Sequence, residues 1–421
     1  MEDEYMKKMK KVASLILAVV MLLSLAACGG DKPSEAEKED AVQAETPSTS
    51  SDPIVIGTTQ PLSGVNAMQG EGALNAIKLY VKELNENGGL LGREVKLVSY
   101  DDASDPEEAV KGVTKLLESD GMDLCIASII SGCVLATGEL LNENQIPTMG
   151  MGLSPTFMQQ GWEYMIRPAL NTAFSIPTLT STMQEMGFET VAIFEGQDDY
   201  GVAAGQNMRN ACDEAGITVT TTENYVTGDT DFSGQIAKIL ATEPDCVFCG
   251  CFGGDIGNVI KQFRQFGYEG ILFYSEAPTS DVINICGDAV DHVVFKYPFI
   301  TYNSIDECTD DHMKAFLEKY EAEYGFLPMG EATYRGWDGM TVLTAAVEAA
   351  DTVDGPAVKE AMYNLSGVKG LGGTFDFAAG EGSGEGLFDF TSWIMIDQKP
   401  MELGAWKETD DYKDYAAKMG W

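Results

Sequence analysis

Ser131, Ser154, Tyr200 and Glu276, with Ser63, Gln69, Gly152 and Phe252, are the residues of this 421-residue chain that suit a small-molecule site. They offer hydroxyls, glycine, two aromatic rings and one acid. The set lacks a nucleophile–base pair. The chain's only histidines, His292 and His312, give little from which to build a histidine metal cluster or a catalytic triad. What the set does suit is a dipolar metabolite. Serine hydroxyls and the amides of a helix N-terminus donate to a carboxylate. A carboxylate side chain takes an ammonium through charge-assisted bonds, and aromatic faces enclose the rest.

Other groupings carry less chemistry. Asp101-Asp102 and Asp198-Asp199 are carboxylate pairs, but adjacent residues on extended chain point apart, so no acid/base dyad is implied. Asp101-Asp102 reads as strand-end capping. Asp198-Asp199 lies at a strand–helix junction, where a turn and a ligand are both open readings. Gly380-Glu-Gly-Ser-Gly-Glu-Gly386 precedes no helical pattern and reads as a loop, not a phosphate cradle. Cys246, Cys249 and Cys251 resemble a metal motif superficially. Their segment reads as a buried strand, where neighbouring side chains alternate faces and cysteine is a common small core residue. No metal and no cofactor is expected.

The start of the chain carries chemistry of a different kind. Lys7, Lys8, Lys10 and Lys11 precede an apolar run from Val12 to Leu25, which closes with Leu25-Ala-Ala-Cys-Gly29. This is a signal peptide, residues 1–27, with a lipobox-like end, and Cys28 is the expected lipid-attachment residue. Residues 28–53 are acidic and rich in Ser, Thr and Pro, which suits a flexible tether. The expected location is outside the cytoplasm, anchored by lipid to the cell membrane.

The whole chain carries a formal charge of −39. Residues 1–27 hold four lysines against Glu2, Asp3 and Glu4, a net of +1, so the mature part stands at −39 − 1 = −40. Such a surface repels nucleic acid and anionic lipid. After the tether 421 − 53 = 368 residues remain, too many for one ordinary core and suited to two lobes.

The elements that must position the site alternate between strand and helix. Expected strands are Ile54–Thr59, Val95–Tyr100, Leu124–Ile130 and Ile146–Met149. A second series follows at Val191–Phe194, Val219–Tyr225, Cys246–Cys249, Ile271–Tyr274 and His292–Tyr297. Asp105-Pro106-Glu107-Glu108 offers an N-cap, a proline at the first helical position and a carboxylate at the third. Beyond Pro298 the pattern is helical at 311–324, 334–350 and 357–365, with strands near 373–377 and 393–396. The fold class is α/β: two doubly wound parallel-sheet lobes joined by a hinge of several crossovers. Residues 54–172 and 298–372 form lobe 1, and 173–297 and 373–421 form lobe 2. In such sheets ligands bind outside the carboxyl ends of the strands. That directs attention to the loops near residues 60–70, 130–133, 150–156, 195–202, 250–256 and 275–279.

At these residues the chain resembles the leucine/isoleucine/valine-binding protein family, the type I periplasmic-binding fold that serves ABC importers. The likeness runs from Ile54 to Trp393. It is carried by Pro61-Leu-Ser-Gly64, Asn87-Gly-Gly89, Tyr100-Asp-Asp-Ala-Ser-Asp-Pro106, Asp199-Tyr-Gly201 and Gly373-Thr-Phe-Asp376, in that order. The resemblance implies that Ser131 and Ser154, with the backbone at Gly152, hold a ligand carboxylate; Ser128 is the alternative to Ser131. It implies that Glu276 takes the α-ammonium and that Tyr200 walls the site. Gln69 stands where branched-chain binders have an aromatic residue, and Phe252 replaces a tyrosine, so the side-chain preference is open. Ser104 and Ile130 occupy positions that form a disulfide in some members. The resemblance further implies a monomer that captures an amino acid and delivers it to ABC permease subunits. A sensor of the same fold docking on a receptor kinase is the alternative, as is a ligand among amides, short peptides or aromatic compounds. No enzyme activity is expected.

Overall fold

A computed structural model of the chain describes residues 52–298, 300, 302, 304–387 and 390–420. The expected signal peptide, Cys28 and nearly all of the tether lie outside the described residues. Among those residues, no helix is long and apolar enough to cross a membrane.

The first sheet contains β1 (Ile54–Gln60), β2 (Val95–Asp101), β3 (Leu124–Ile126), β4 (Thr148–Met149) and β5 (Met165–Ile166). Its order is β2-β1-β3-β4-β5, with every pairing parallel. Alternation along β3 builds a core on each face. Leu124 and Ile126 pack with Ile54, Ile77 and Leu343, whereas Cys125 and Ala127 pack with Val134 and Leu141. β3 stops four residues short of the expected Ile130 for a local reason. The Gln60 amide group donates to Ala127 O at 3.0 Å and accepts from Ile129 N at 3.3 Å, standing in for a neighbouring strand. This frees the following residues to turn into the helix Ser131–Glu143.

The second sheet contains β6 (Thr190–Gly196), β7 (Thr218–Tyr225), β8 (Cys246–Gly250), β9 (Leu272–Tyr274) and β10 (Val293–Tyr297). These five strands pair in parallel. Lobe 2 is not wholly parallel, however. β13 (Thr391–Ile396) pairs antiparallel with β10, and β14 (Lys399–Glu402) pairs antiparallel with β13 to form the sheet's edge. A two-residue turn joins them, Asp397-Gln398, with φ of 50° and 62°. That is the turn whose twist suits a tight hairpin.

β11 (Val368–Lys369) and β12 (Thr374–Phe375) form a separate small hairpin. It corrects the expected domain limits. Phe375, Phe377 and Leu387 lie in the first lobe's core, not the second's. Arg167 beside β5 pairs with Glu385, and Arg167 N donates to Gly384 O at 2.8 Å. The final passage into lobe 2 therefore falls between Leu387 and Thr391, and not at residue 373. The preceding segment, Gly380–Gly386, is polar and glycine-rich, so hydrophobic pattern gave no hold on it; a buried ion pair supplies the attachment. Among the described residues the chain passes from lobe to lobe three times: after β5, after β10 and after Leu387.

Asp338, on the helix Ala332–Ala350, fastens the small hairpin to lobe 1. Its oxygens accept from Leu371 N at 2.6 Å and Gly372 N at 2.7 Å. Burial pushes its carboxyl up to about 7, with the two amides pulling the other way. Asp338→Asn replaces one acceptor by a donor facing an amide. It should cost about 1–3 kcal/mol, read as a lower urea midpoint. Because the native carboxyl binds its proton more tightly than an unfolded aspartate, its own contribution fades as pH rises through about 7. The gap between wild type and variant should narrow over that range.

All eight described cysteines are buried and unbridged. Cys246 and Cys249 sit on β8 as core residues, and burial raises the Cys249 thiol to about 12.

Candidate functional site

The strand ends of both sheets open on a cleft of about 440 Å³. Lobe 1 contributes Asn66, Ser104, Ile130, Ser131 and Gly132, and lobe 2 contributes Asp198, Asp199, Tyr200, Thr227 and Phe252. Much of the remaining wall is aliphatic, with Ile129, Leu135 and Leu153.

Three of the expected residues meet in this wall: Ser131, Tyr200 and Phe252. Ser131 opens the helix Ser131–Glu143, whose N-terminus has no side-chain cap. Its Oγ accepts from Leu153 N and Ser154 N, each at 3.2 Å, which leaves the hydroxyl hydrogen to donate. Gly152 serves this packing through its lack of a side chain: a Cβ there would stand 2.8 Å from Ser131 Oγ and 2.9 Å from Ser131 Cα. Ser128 is turned elsewhere, its Oγ accepting from Ile130 N at 3.2 Å.

Ser154 does not line the cleft; its neighbour Leu153 does. The Ser154 hydroxyl is engaged with Thr156 Oγ1 at 2.8 Å and with Thr156 N at 3.2 Å. Its carbonyl accepts from Arg167 Nη1 at 2.6 Å. The loop is held by backbone bonds, and a one-residue register exchanges a hydroxyl for an aliphatic face.

Tyr200 and Phe252 stand edge to face, with ring centroids 5.7 Å apart. Tyr200 is placed by a tight strand-to-helix turn in which a Cβ on Gly201 would lie 2.4 Å from Gly196 O. Asp198 caps the same turn, accepting from Gly201 N at 2.9 Å and from Thr227 Oγ1 at 2.7 Å. Asp199 keeps one carboxylate oxygen, Oδ2, without a hydrogen-bond partner.

Behind the two rings lies a cluster of buried charge. The Tyr200 hydroxyl donates to Ser275 Oγ at 2.7 Å and also faces the Glu276 carboxyl. Glu276 is 3% exposed, and its Oε1 has no hydrogen-bond partner. Arg335 lies with its guanidinium 5.8 Å from the Phe252 ring centroid. It donates from Nε to Glu331 Oε2 at 3.0 Å and from Nη1 to Met151 O. Its Nη2 stands 2.7 Å from Glu331 Oε1 without hydrogen-bond alignment. Burial drives the Glu276 carboxyl well above the usual range and the Glu331 charge adds to this, while Arg335 opposes it. Gln69, on the helix Ala67–Glu86, crosses the lobe boundary: its Nε2 donates to Asp281 Oδ2 at 2.7 Å, and its Oε1 accepts from Ala332 N at 3.3 Å.

Gln69, Gly152, Ser154 and Glu276 therefore surround the cleft wall without lining it. Arg335 and Glu331 went unseen in the sequence. Their i, i+4 spacing was visible, but that spacing ordinarily marks an exposed helix pair.

Two parallel-sheet lobes, three crossovers and a cleft at the strand ends define a two-lobed solute-binding protein of the type I periplasmic-binding fold. The periplasmic binding protein family matches residues 53–394, and the chain belongs to that family. It is 24% identical over 318 residues to the leucine-, isoleucine-, valine-, threonine- and alanine-binding protein of Pseudomonas aeruginosa, spanning 75% of this chain and 83% of that one. It is 26% identical over 354 residues to Leu/Ile/Val-binding protein homolog 2 of Brucella abortus, spanning 83% and 92%. Among solved structures, it is similar to a branched-chain amino acid transporter substrate-binding protein of Streptococcus pneumoniae in complex with isoleucine. There the TM-score is 0.73 at 19% identity, covering 83% of this chain and 98% of that one. It is equally similar to an ABC transporter solute-binding protein of R. palustris in complex with benzoate, with TM-score 0.74, 22% identity and coverage of 84% and 96%. The resemblance read from the sequence thus holds for family and fold. The two bound solutes differ in charge, so fold alone does not choose between them.

Proposed function

We propose that this protein is an extracytoplasmic solute-binding lipoprotein of an ABC importer. It closes its lobes on a branched-chain amino acid or a related small zwitterion and hands it to a membrane permease. The observation that carries this reading is the pairing of poles across the lobe boundary. An uncapped helix N-terminus and the Ser131 hydroxyl lie in one lobe; the buried, unsatisfied Glu276 lies in the other, behind Tyr200 and Phe252. The aliphatic wall between them suits an apolar side chain. The solutes in the relatives' names agree with that chemistry. Lipid attachment at Cys28 rests on Leu25-Ala-Ala-Cys-Gly29 alone.

Closure must be driven by the solute's preference for the closed form. Moving a 1:99 equilibrium to 99:1 takes roughly 5.5 kcal/mol, which a few charge-assisted bonds to both lobes, at about 1.5–3 kcal/mol each, can supply. A thermal-shift screen of the twenty amino acids and simple amides should show a raised melting temperature with aliphatic amino acids. Ser131→Ala should weaken that binding roughly 10- to 150-fold by calorimetry. A flat response across the whole panel would sink the reading.

A further inference from the structure

The charge cluster behind the cleft does not balance. Glu276, Glu331 and Asp281 bring three carboxylates, and among the described residues Arg335 is the basic side chain set against them. Glu331 pairs with Arg335, through one aligned hydrogen bond and one ion-pair contact, and Asp281 is held by Gln69 and Thr279. Glu276 has no such basic partner: the Tyr200 hydroxyl faces it, and its Oε1 has no hydrogen-bond partner. The other titratable groups facing it are phenols, Tyr200 from the helix Asp199–Ala215 and Tyr274 from β9, with Tyr297 of β10 beside Glu331. None of these brings a positive charge. An uncompensated carboxylate in a water-poor interior is costly and takes up a proton instead. Burial raises all three carboxyls, which agrees with this.

We infer that the solute is captured by exchange: its ammonium group replaces a proton that the empty protein holds on Glu276, so loading expels one proton to solvent. The inference rests on the reading that the zwitterion's ammonium passes between the Tyr200 and Phe252 rings to reach Glu276, which lies behind them and does not line the cleft. The balance is simple. The carboxylic acid loses its proton to buffer, the carboxylate keeps its negative charge, and the ammonium enters with its own protons intact. Glu331 and Arg335 act as positioning residues that set how firmly the proton is held. Glu331 raises the cost of a bare Glu276, and Arg335 lowers it. Acid therefore competes with the solute. Apparent affinity should rise about tenfold per pH unit as the proton is removed, then level off once Glu276 is ionised before binding.

The test is calorimetry on the whole protein with L-leucine, L-isoleucine and L-valine, in buffers of different ionisation enthalpy. Between a pH of about 5 and the levelling point, the heat should vary with the buffer, with a slope of one proton released per solute. In Glu331→Gln the levelling point should move to lower pH, since Arg335 is then left to face Glu276 alone. Glu276→Gln has no proton to exchange, and any binding it keeps should show no buffer dependence. Wild-type binding with no buffer dependence and constant affinity across this range would overturn the exchange while leaving the solute reading standing. No heat and no thermal shift with any of the three amino acids would overturn both.

Discussion

Arg335→Met is expected to lower the unfolding free energy of the empty protein by about 3–5 kcal/mol, because it strips a buried cation from an enclosed set of acids. Arg335 is 3% exposed and makes bonds of two kinds. It neutralises Glu331, and its Nη1 ties the Met151 carbonyl beside β4 to the helix Ala332–Ala350. Methionine fills much of the volume but supplies neither. Both Glu331 oxygens would then be buried without their counter-ion, in addition to the unsatisfied Glu276 oxygen. Protonation of the acids softens the loss, so it should be smaller at acid pH and larger near neutrality. Urea unfolding at two pH values measures this directly. A loss under about 1 kcal/mol at neutral pH would show that the guanidinium is not what holds the acids in place.

Arg167→Met should produce a loss of the same order, about 3–5 kcal/mol, for a different reason. Arg167 is fully buried, and its guanidinium forms a two-pronged pair with Glu385, with Nε donating to Oε2 at 2.9 Å and Nη2 to Oε1. Asn171 Nδ2 adds a bond to the same carboxylate at 2.8 Å. The third guanidinium nitrogen reaches the Ser154 carbonyl, and the group lies 5.0 Å from the Phe157 ring centroid. One side chain thereby secures the return of the chain to lobe 1 and the loop on which Ser131 rests. The variant should lose solute affinity as well as stability. Glu385→Gln, which keeps the side chain's shape but discards its charge, should show the stability loss with a smaller effect on affinity. If Arg167→Met unfolds at the wild-type urea concentration, the attachment of residues 380–387 lies elsewhere.

These two arginines also mark where reading the sequence reached its limit. The alternating strands and helices were legible because hydrophobic period reports local conformation, and the Asp105 cap bonds to Glu107 N and Glu108 N as its sequence implies. Ser131, Tyr200 and Phe252 were legible because strand ends in parallel sheets gather at one edge. Arg167 and Glu385 lie 218 residues apart, and nothing in either local sequence announces the other. The Gly380–Gly386 segment was recognisable as a loop, yet its polar docking is made to residues as distant as Arg167 and Asn171. In this structure Leu153, one position before Ser154, is the residue that lines the cleft. Residues 150–156 are irregular backbone, where no period fixes which side chain turns inward. Gln69 met Asp281, 212 residues away, and not the cleft. A glutamine gives no sign of its partner until both lobes are in place.

The buried thiols have a practical consequence. Each described cysteine is shielded from reagents while the fold stays shut, and a protonated thiol is a poor nucleophile. Alkylation at those positions therefore waits on opening events, so the labelling rate of each site becomes a stopwatch for the part of the molecule that harbours it. With Cys212, Cys246 and Cys249 in one lobe and Cys125 and Cys133 in the other, mass spectrometry of timed samples would tell which half breathes first.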